Sequence, residues 1–191
     1  MKKISILALV LTCVIALVGC HIGTDKEPLI ETTVSYAGWS DDASIISGAL
    51  NEDELKSNGK DIHCPIFRLD TKRDLEKFKA EYGDIFTMDR GYGDLVPSFD
   101  DAISKAQFDR SSFFQDNSLL IVYVISSSGS LRFGVSDVDY DSESLRVYVK
   151  QTNDPELVTA DKAGWFIIVA IPDSEIRTCK SFDAIREDDK D

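Results

Sequence analysis

Apolar residues are spread unevenly along this chain, and their spacing predicts most of its elements. An almost unbroken apolar run, Ile4–Val18, comes first. Ile30–Trp39 is rich in β-branched and aromatic residues and predicts a strand, as does the shorter Cys64–Leu69. Asn51–Lys56 predicts a helical turn closed by Asn58-Gly59. Leu75, Phe78 and Tyr82 recur at spacings of three and four behind Thr71, whose hydroxyl can accept the Asp74 amide; this predicts a helix stopped at Gly83. Ser98 caps a second helix carrying Phe99, Ile103 and Ala106. A third short helix is expected from Asp109, with Phe108 and Phe113 as a hydrophobic staple.

The second half reads as strands. Leu119–Ile125 and Trp165–Ile171 are apolar at every position, as strands buried on both faces are. Leu131–Tyr140 and Leu145–Val149 alternate, as strands with one wet face do. Their phase slips: Phe133 and Val135 are apolar at odd positions, Val138 and Tyr140 at even ones. A β-bulge is therefore expected near Ser136–Asp137, after which Tyr140 should pair with Leu145, Val138 with Val147, and Asp139 with Arg146. Helices first and strands later predict an α+β fold. The expected form is a largely antiparallel sheet, ending in a C-terminal β-meander, with two or three short helices on one face.

The first apolar run changes the picture of where the chain resides. Lys2 and Lys3 precede it, and fifteen residues are short of the roughly 20 that span a bilayer. It ends in Leu17-Val18-Gly19-Cys20, which resembles the lipobox of bacterial lipoproteins. That resemblance implies a signal peptide over residues 1–19 and a lipid on the Cys20 thiol. The protein is then expected at the cell membrane, lipid-anchored on the extracytoplasmic side. Residues 20–30 read as the lipidated Cys and a polar tether, 31–185 as one globular domain, and 186–191 (REDDKD) as an acidic tail.

The whole chain carries a net charge of −13 from 21 Lys and Arg against 34 Asp and Glu. Losing Lys2 and Lys3 with the signal would deepen it. Such a surface repels phosphate backbones and anionic headgroups, so nucleic acid is not an expected partner; the expected partners are the membrane, through the Cys20 lipid, and an envelope protein. Cys64 and Cys179 are the mature cysteines besides the anchor. An oxidising compartment permits a disulfide between them, and two buried thiols are the other reading.

Chemistry-bearing patterns do not complete. His21 and His63 are the two histidines. His63 adjoins Cys64, and neighbours on a strand point to opposite faces, which disfavours a local Cys–His pair. No Gly-x-Ser-x-Gly elbow is present. Gly91-Tyr92-Gly93-Asp94 lacks the rest of a phosphate loop and reads as a turn. Asp137-x-Asp139-x-Asp141-x-Glu143 begins like a calcium loop, but Ser142 and Tyr148 stand where that loop needs Gly and Glu. No catalytic residue, metal ligand or cofactor site is assigned.

Residues 128–172 resemble the C-terminal domain of PrcB-type proteins, accessory subunits of a bacterial surface protease complex. The resemblance is carried by Ser128-Gly129-Ser130 with Leu131 and Phe133, by Val135–Val138, by Leu145-x-Val147-x-Val149, by Thr159 and by Val169–Pro172. The acidic stretch Thr152–Lys162 and Ala163-Gly164-Trp165 depart from it. It implies a noncatalytic, partner-binding domain. The expected function is a membrane-anchored binding or protease-accessory module of the cell envelope. Its contact elements would be the turn Ser126–Ser130 and the loop Thr152–Lys162, both exposed between strong strands. The alternatives are a hydrolase using dispersed Asp and Glu carboxylates and a divalent-ion-binding structural protein.

Overall fold

The computed structural model describes residues 30–40, 61–141 and 143–187. The apolar run, Cys20, His21, nearly all of the tether and the helical turn expected at Asn51–Lys56 lie outside the described residues.

The fold is α+β, and its strands form two four-stranded sheets. The strands are β1 (Glu31–Ala37), β2 (Asp61–His63), β3 (Ile66–Leu69), β4 (Asn117–Ser126), β5 (Phe133–Tyr140), β6 (Ser144–Gln151), β7 (Ala163–Pro172) and β8 (Ser181–Glu187). The helices are α1 (Lys72–Tyr82), α2 (Phe99–Lys105) and the short α3 (Asp173–Ile176). The first sheet has the order β1-β7-β4-β3 and is antiparallel throughout. The second has the order β2-β8-β6-β5 and is antiparallel except where β6 and β8 run parallel. The later strands thus do not make one meander. β4 and β7 pair in the first sheet, while β5, β6 and β8 build the second.

This layering explains why β4 and β7 are apolar at every position. Leu119, Ile121, Tyr123, Phe166, Ile168 and Ala170 face a core completed by Leu75 and Phe78 of α1 and Phe99, Ala102 and Ile103 of α2. Leu120, Val122, Val124, Trp165, Ile167 and Val169 face a second core, closed by Leu145, Val147, Val149 and Ala184 of the other sheet. Burial on both faces demands apolar residues without alternation, whereas the second sheet keeps a polar outer face and alternates. On the helix side, Phe166 lies at the centre of a ring cluster, 5.1–5.9 Å from Phe78, Phe86, Phe99 and Tyr123.

Both long helices start where their caps place them. Thr71 Oγ1 accepts the Asp74 amide at 3.1 Å, and Ser98 Oγ accepts that of Asp101 at the same distance. The expected bulge is present: the β5–β6 register shifts between Val135 and Asp137, and Val138 then faces Val147, Asp139 faces Arg146 and Tyr140 faces Leu145.

Three expectations are corrected. No helix starts at Asp109. Gln107 is left-handed (φ 62°), and bonds from Arg110 to Gln107 and from Phe113 to Arg110 make a chain of turns leading to one 3₁₀ turn, Phe113–Gln115. Phe108 and Phe113 still stack, at 4.9 Å. Arg186 and Glu187 are not tail, because β8 runs through them, parallel to β6. Finally, the strand expected over Cys64–Leu69 begins only at Ile66, and His63 belongs to β2 of the other sheet. The chain crosses between sheets at Cys64-Pro65, where the Cys64 amide bonds Ala184 and the Pro65 carbonyl receives the Tyr123 amide.

The optional Cys64–Cys179 disulfide is not made: Cys179 is a free, buried thiol, and Cys64 is buried as well. The Cys64 amide is fixed at Ala184, whereas Cys179 precedes the start of β8 at Ser181. At about 3.3 Å per strand residue, the stretch from Ser181 to Ala184 alone spans about 10 Å. A disulfide needs Cα atoms within about 7 Å. The Cys179 thiol instead lies 3.6 Å from the Asp141 carbonyl.

Candidate functional site

The two segments singled out as contact elements, the turn Ser126–Ser130 and the loop Thr152–Lys162, meet at one end of the first sheet; the loop is exposed as expected, but the turn is not, since Ser126, Ser128 and Gly129 are buried. Ser126 ends β4 and folds the chain back on itself: its hydroxyl donates to the Ser128 carbonyl at 2.7 Å and accepts the Ser128 amide at 3.2 Å. The Ser128 and Ser130 hydroxyls lie 2.8 and 3.0 Å from the Thr159 hydroxyl. The Gly129 amide donates to the Asp161 carbonyl at 2.9 Å. On the β5 side, Asn153 accepts the Arg132 amide at 2.6 Å and donates to the Ser130 carbonyl at 2.9 Å.

A third loop joins them. Gly91–Val96 is the turn its composition suggests, closed by paired backbone bonds between Tyr92 and Val96, with Gly93 in the left-handed region (φ 58°). Tyr92 reaches from this loop to donate its hydroxyl to Asp161 at 2.7 Å. That bond passes over Gly129, where a Cβ would strike the Tyr92 hydroxyl and the Asp161 carboxylate, so a side chain there would have to push the bonded pair aside.

An aromatic floor supports the loops. Tyr36 of β1, Tyr92 and Trp165 of β7 lie with ring centroids 5.5–5.8 Å apart. Arg132 covers this trio: its guanidinium is 4.6 Å from the Trp165 ring and 5.5 Å from that of Tyr92, and it donates to the Gly129 carbonyl at 2.6 Å. A cation over a ring contributes about 0.5–2 kcal/mol, so Arg132 ties the turn to the core through both its charge and its fork of donors. Lys162 is held in a similar way, its ammonium 4.3 Å above Trp39.

The Asp161 carboxyl is drawn down to about 2 by hydrogen bonds from Thr159 and then Tyr92. A depressed carboxyl contributes its tie fully above the ordinary range near 3.8 and loses it as the pH falls through about 2. The loop cluster should therefore hold at neutral pH and loosen between about pH 4 and 2. In an NMR titration, Asp161 should show the depressed midpoint, and Tyr92→Phe should move it back toward the ordinary range. An ordinary midpoint in the unsubstituted protein would contradict this account of the cluster.

The remaining residues considered for chemistry are placed as follows. His63 Nδ1 lies 2.9 Å from Asp183 Oδ1, and Arg146 Nε lies 3.1 Å from Asp183 Oδ2, on the outer face of the second sheet. A carboxylate so placed can fix a histidine tautomer. The Cys64 thiol turns instead to the Ile62 carbonyl, so Cys64 and His63 do not act together. Asp141 accepts the amides of Glu143 and Ser144 at 2.7 and 2.8 Å, bonds that hold its carboxyl below the usual range; it serves the β5–β6 turn. Asp139 faces Arg146 across the hairpin. Among the described residues, no three His, Cys, Asp or Glu side chains converge as a metal site would require.

Tyr36, Tyr92, Arg132 and Trp165 were not legible as a site. Tyr92 and Asp161 are 69 residues apart and His63 and Asp183 are 120 apart, and no local pattern links such pairs. The one available signal was the glycine-flanked Tyr92, which reads only as a turn. Compared with known proteins, the chain matches no family model, no curated protein and no solved structure.

Proposed function

We propose that this protein is a lipid-anchored, extracytoplasmic lipoprotein whose domain works by contact, as a binding or protease-accessory module of the cell envelope. The observation that carries the reading is the joining of the Ser126–Ser130, Thr152–Lys162 and Gly91–Val96 loops into one braced surface. A set of loops fixed to a rigid scaffold suits recognition, because little ordering entropy remains to be lost on binding. The Cys20 anchor supports the same reading, since tethering raises the local concentration of a co-tethered partner and lets a modest contact suffice. The resemblance of residues 128–172 to PrcB-type domains favours a protease-associated partner. Ser128, Gly129, Ser130 and Thr159, which carry part of that resemblance, are also residues that join the loops.

The test is to replace the Thr152–Lys162 segment with a Gly/Ser linker of equal length in one variant, to introduce Gly129→Leu into the all-Ser/Gly turn Ser126–Ser130 in another, and to crosslink intact cells. The partners captured by the natural protein should be lost from both variants. A purified protein that turned over a peptide or glycan panel, and lost turnover on a single carboxylate substitution, would replace this reading with the hydrolase alternative.

A further inference from the structure

The loop cluster leaves an imbalance at its surface. Leu95 and Leu157, each 85% exposed, and Val158, 60% exposed, are large apolar residues on its loops. Among the described residues, the one other exposed large hydrophobic, Ile85, is only 40% exposed. Single exposed apolar residues need no explanation, but several on joined loops mark a contact surface.

The charges are equally one-sided. Asp94 adjoins Leu95, and Asp154 and Glu156 lead into Leu157; all three acids are exposed. None of them takes part in an ion pair among the described residues. The cations at the Thr152–Lys162 loop are turned onto rings, Arg132 over Trp165 and Lys162 over Trp39, whereas Lys105 lines the same hollow as Asp94 beside the Gly91–Val96 loop. The Thr152–Lys162 loop therefore presents Leu157 and Val158 beside Asp154 and Glu156, carboxylates that its own cations leave unpaired.

We propose that the Gly91–Val96 and Thr152–Lys162 loops form a docking surface for a cationic polypeptide segment. That segment would set an apolar side chain against Leu157 and Val158 and place Lys or Arg opposite Asp154 and Glu156. Charge selects this occupant over others. A second copy of this chain, at a net charge of −13, would bring like charge to the contact, and an anionic lipid surface would do the same. In a cationic segment the flanking charges steer the encounter and the apolar anchor holds it. This inference rests on the contact reading above and specifies the chemistry of the partner.

The test uses the full-length protein in zwitterionic detergent and a fluorescein-labelled Lys-Lys-Gly-Leu-Gly-Lys-Lys peptide. Binding should weaken about tenfold or more in Leu157→Ser/Val158→Ser and in Asp154→Lys/Glu156→Lys, a loss of about 1.4 kcal/mol at tenfold. The Asp154→Lys/Glu156→Lys variant should instead take up the peptide with Glu in place of Lys. The control is Asp137→Lys/Asp139→Lys on the outer face of the second sheet, which changes net charge equally and should leave binding within about twofold. Equal weakening by the control, or no weakening by either loop variant, overturns the inference. If that happens while loop replacement still removes the crosslinked partners in cells, the contact reading stands and only the cationic partner is lost.

Discussion

Trp165→Ala is expected to lower unfolding stability by about 3–5 kcal/mol, the usual cost of truncating a buried large aromatic. Trp165 is fully buried and has two roles. One face of β7 places its indole in the core between the sheets. The ring also forms the floor of the loop cluster, touching Tyr36 and Tyr92 and lying beneath Arg132. Truncation therefore opens a cavity and also removes the ring that Arg132 covers. Urea denaturation should show the stability loss, and the loop cluster should become more open to solvent even where the domain remains folded. Trp165→Phe supplies the contrast. The indole Nε1 is buried without a hydrogen-bond partner among the described residues, so a phenyl ring keeps an aromatic face and removes an unsatisfied donor. It should cost distinctly less than alanine. A loss below about 1 kcal/mol for Trp165→Ala would show that the ring is not structurally central.

Cys20→Ser should abolish lipid attachment and leave uncleaved precursor or misprocessed protein. Loss of label should be complete because no other stretch of the chain matches the Leu17-Val18-Gly19-Cys20 box. Each buried methylene contributes about 0.8 kcal/mol, so two or three acyl chains anchor the natural protein firmly. Metabolic labelling with a fatty acid, followed by membrane fractionation, reads the outcome. A Cys20→Ser variant that still took up label would remove the lipobox from the account, and the tethering argument with it.

What could be read from the chain follows how local each interaction is. The caps at Thr71 and Ser98 and the β5 bulge each depend on residues within a few positions, or on the phase of a short alternation, so pattern alone finds them. The unbroken apolar runs of β4 and β7 likewise revealed burial on both faces. They could not reveal that the covering layers are helices on one side and a second sheet on the other. β8 went unread because Ser181–Glu187 has few apolar residues and its pairing with β6 is parallel and non-local. The crossing at Cys64-Pro65 was hidden for the same reason, being set by Ala184 and Tyr123 far along the chain. At the candidate site, position between strong strands singled out two of the three loops, but the expected exposure holds for Thr152–Lys162 alone, because Ser126, Ser128 and Gly129 are buried. The residues that brace them, Tyr92, Arg132 and Trp165, come together only through the fold.

Position-specific crosslinking in intact cells shows whether these loops are the working surface of a contact module. A photo-crosslinking residue is placed at Leu157 in one variant and at Asp139, on the outer face of the second sheet, in another. The account predicts that position 157 captures a defined envelope protein and that position 139 does not, with Cys20→Ser reducing the yield. Capture from position 139 alone, or from neither position, would contradict it.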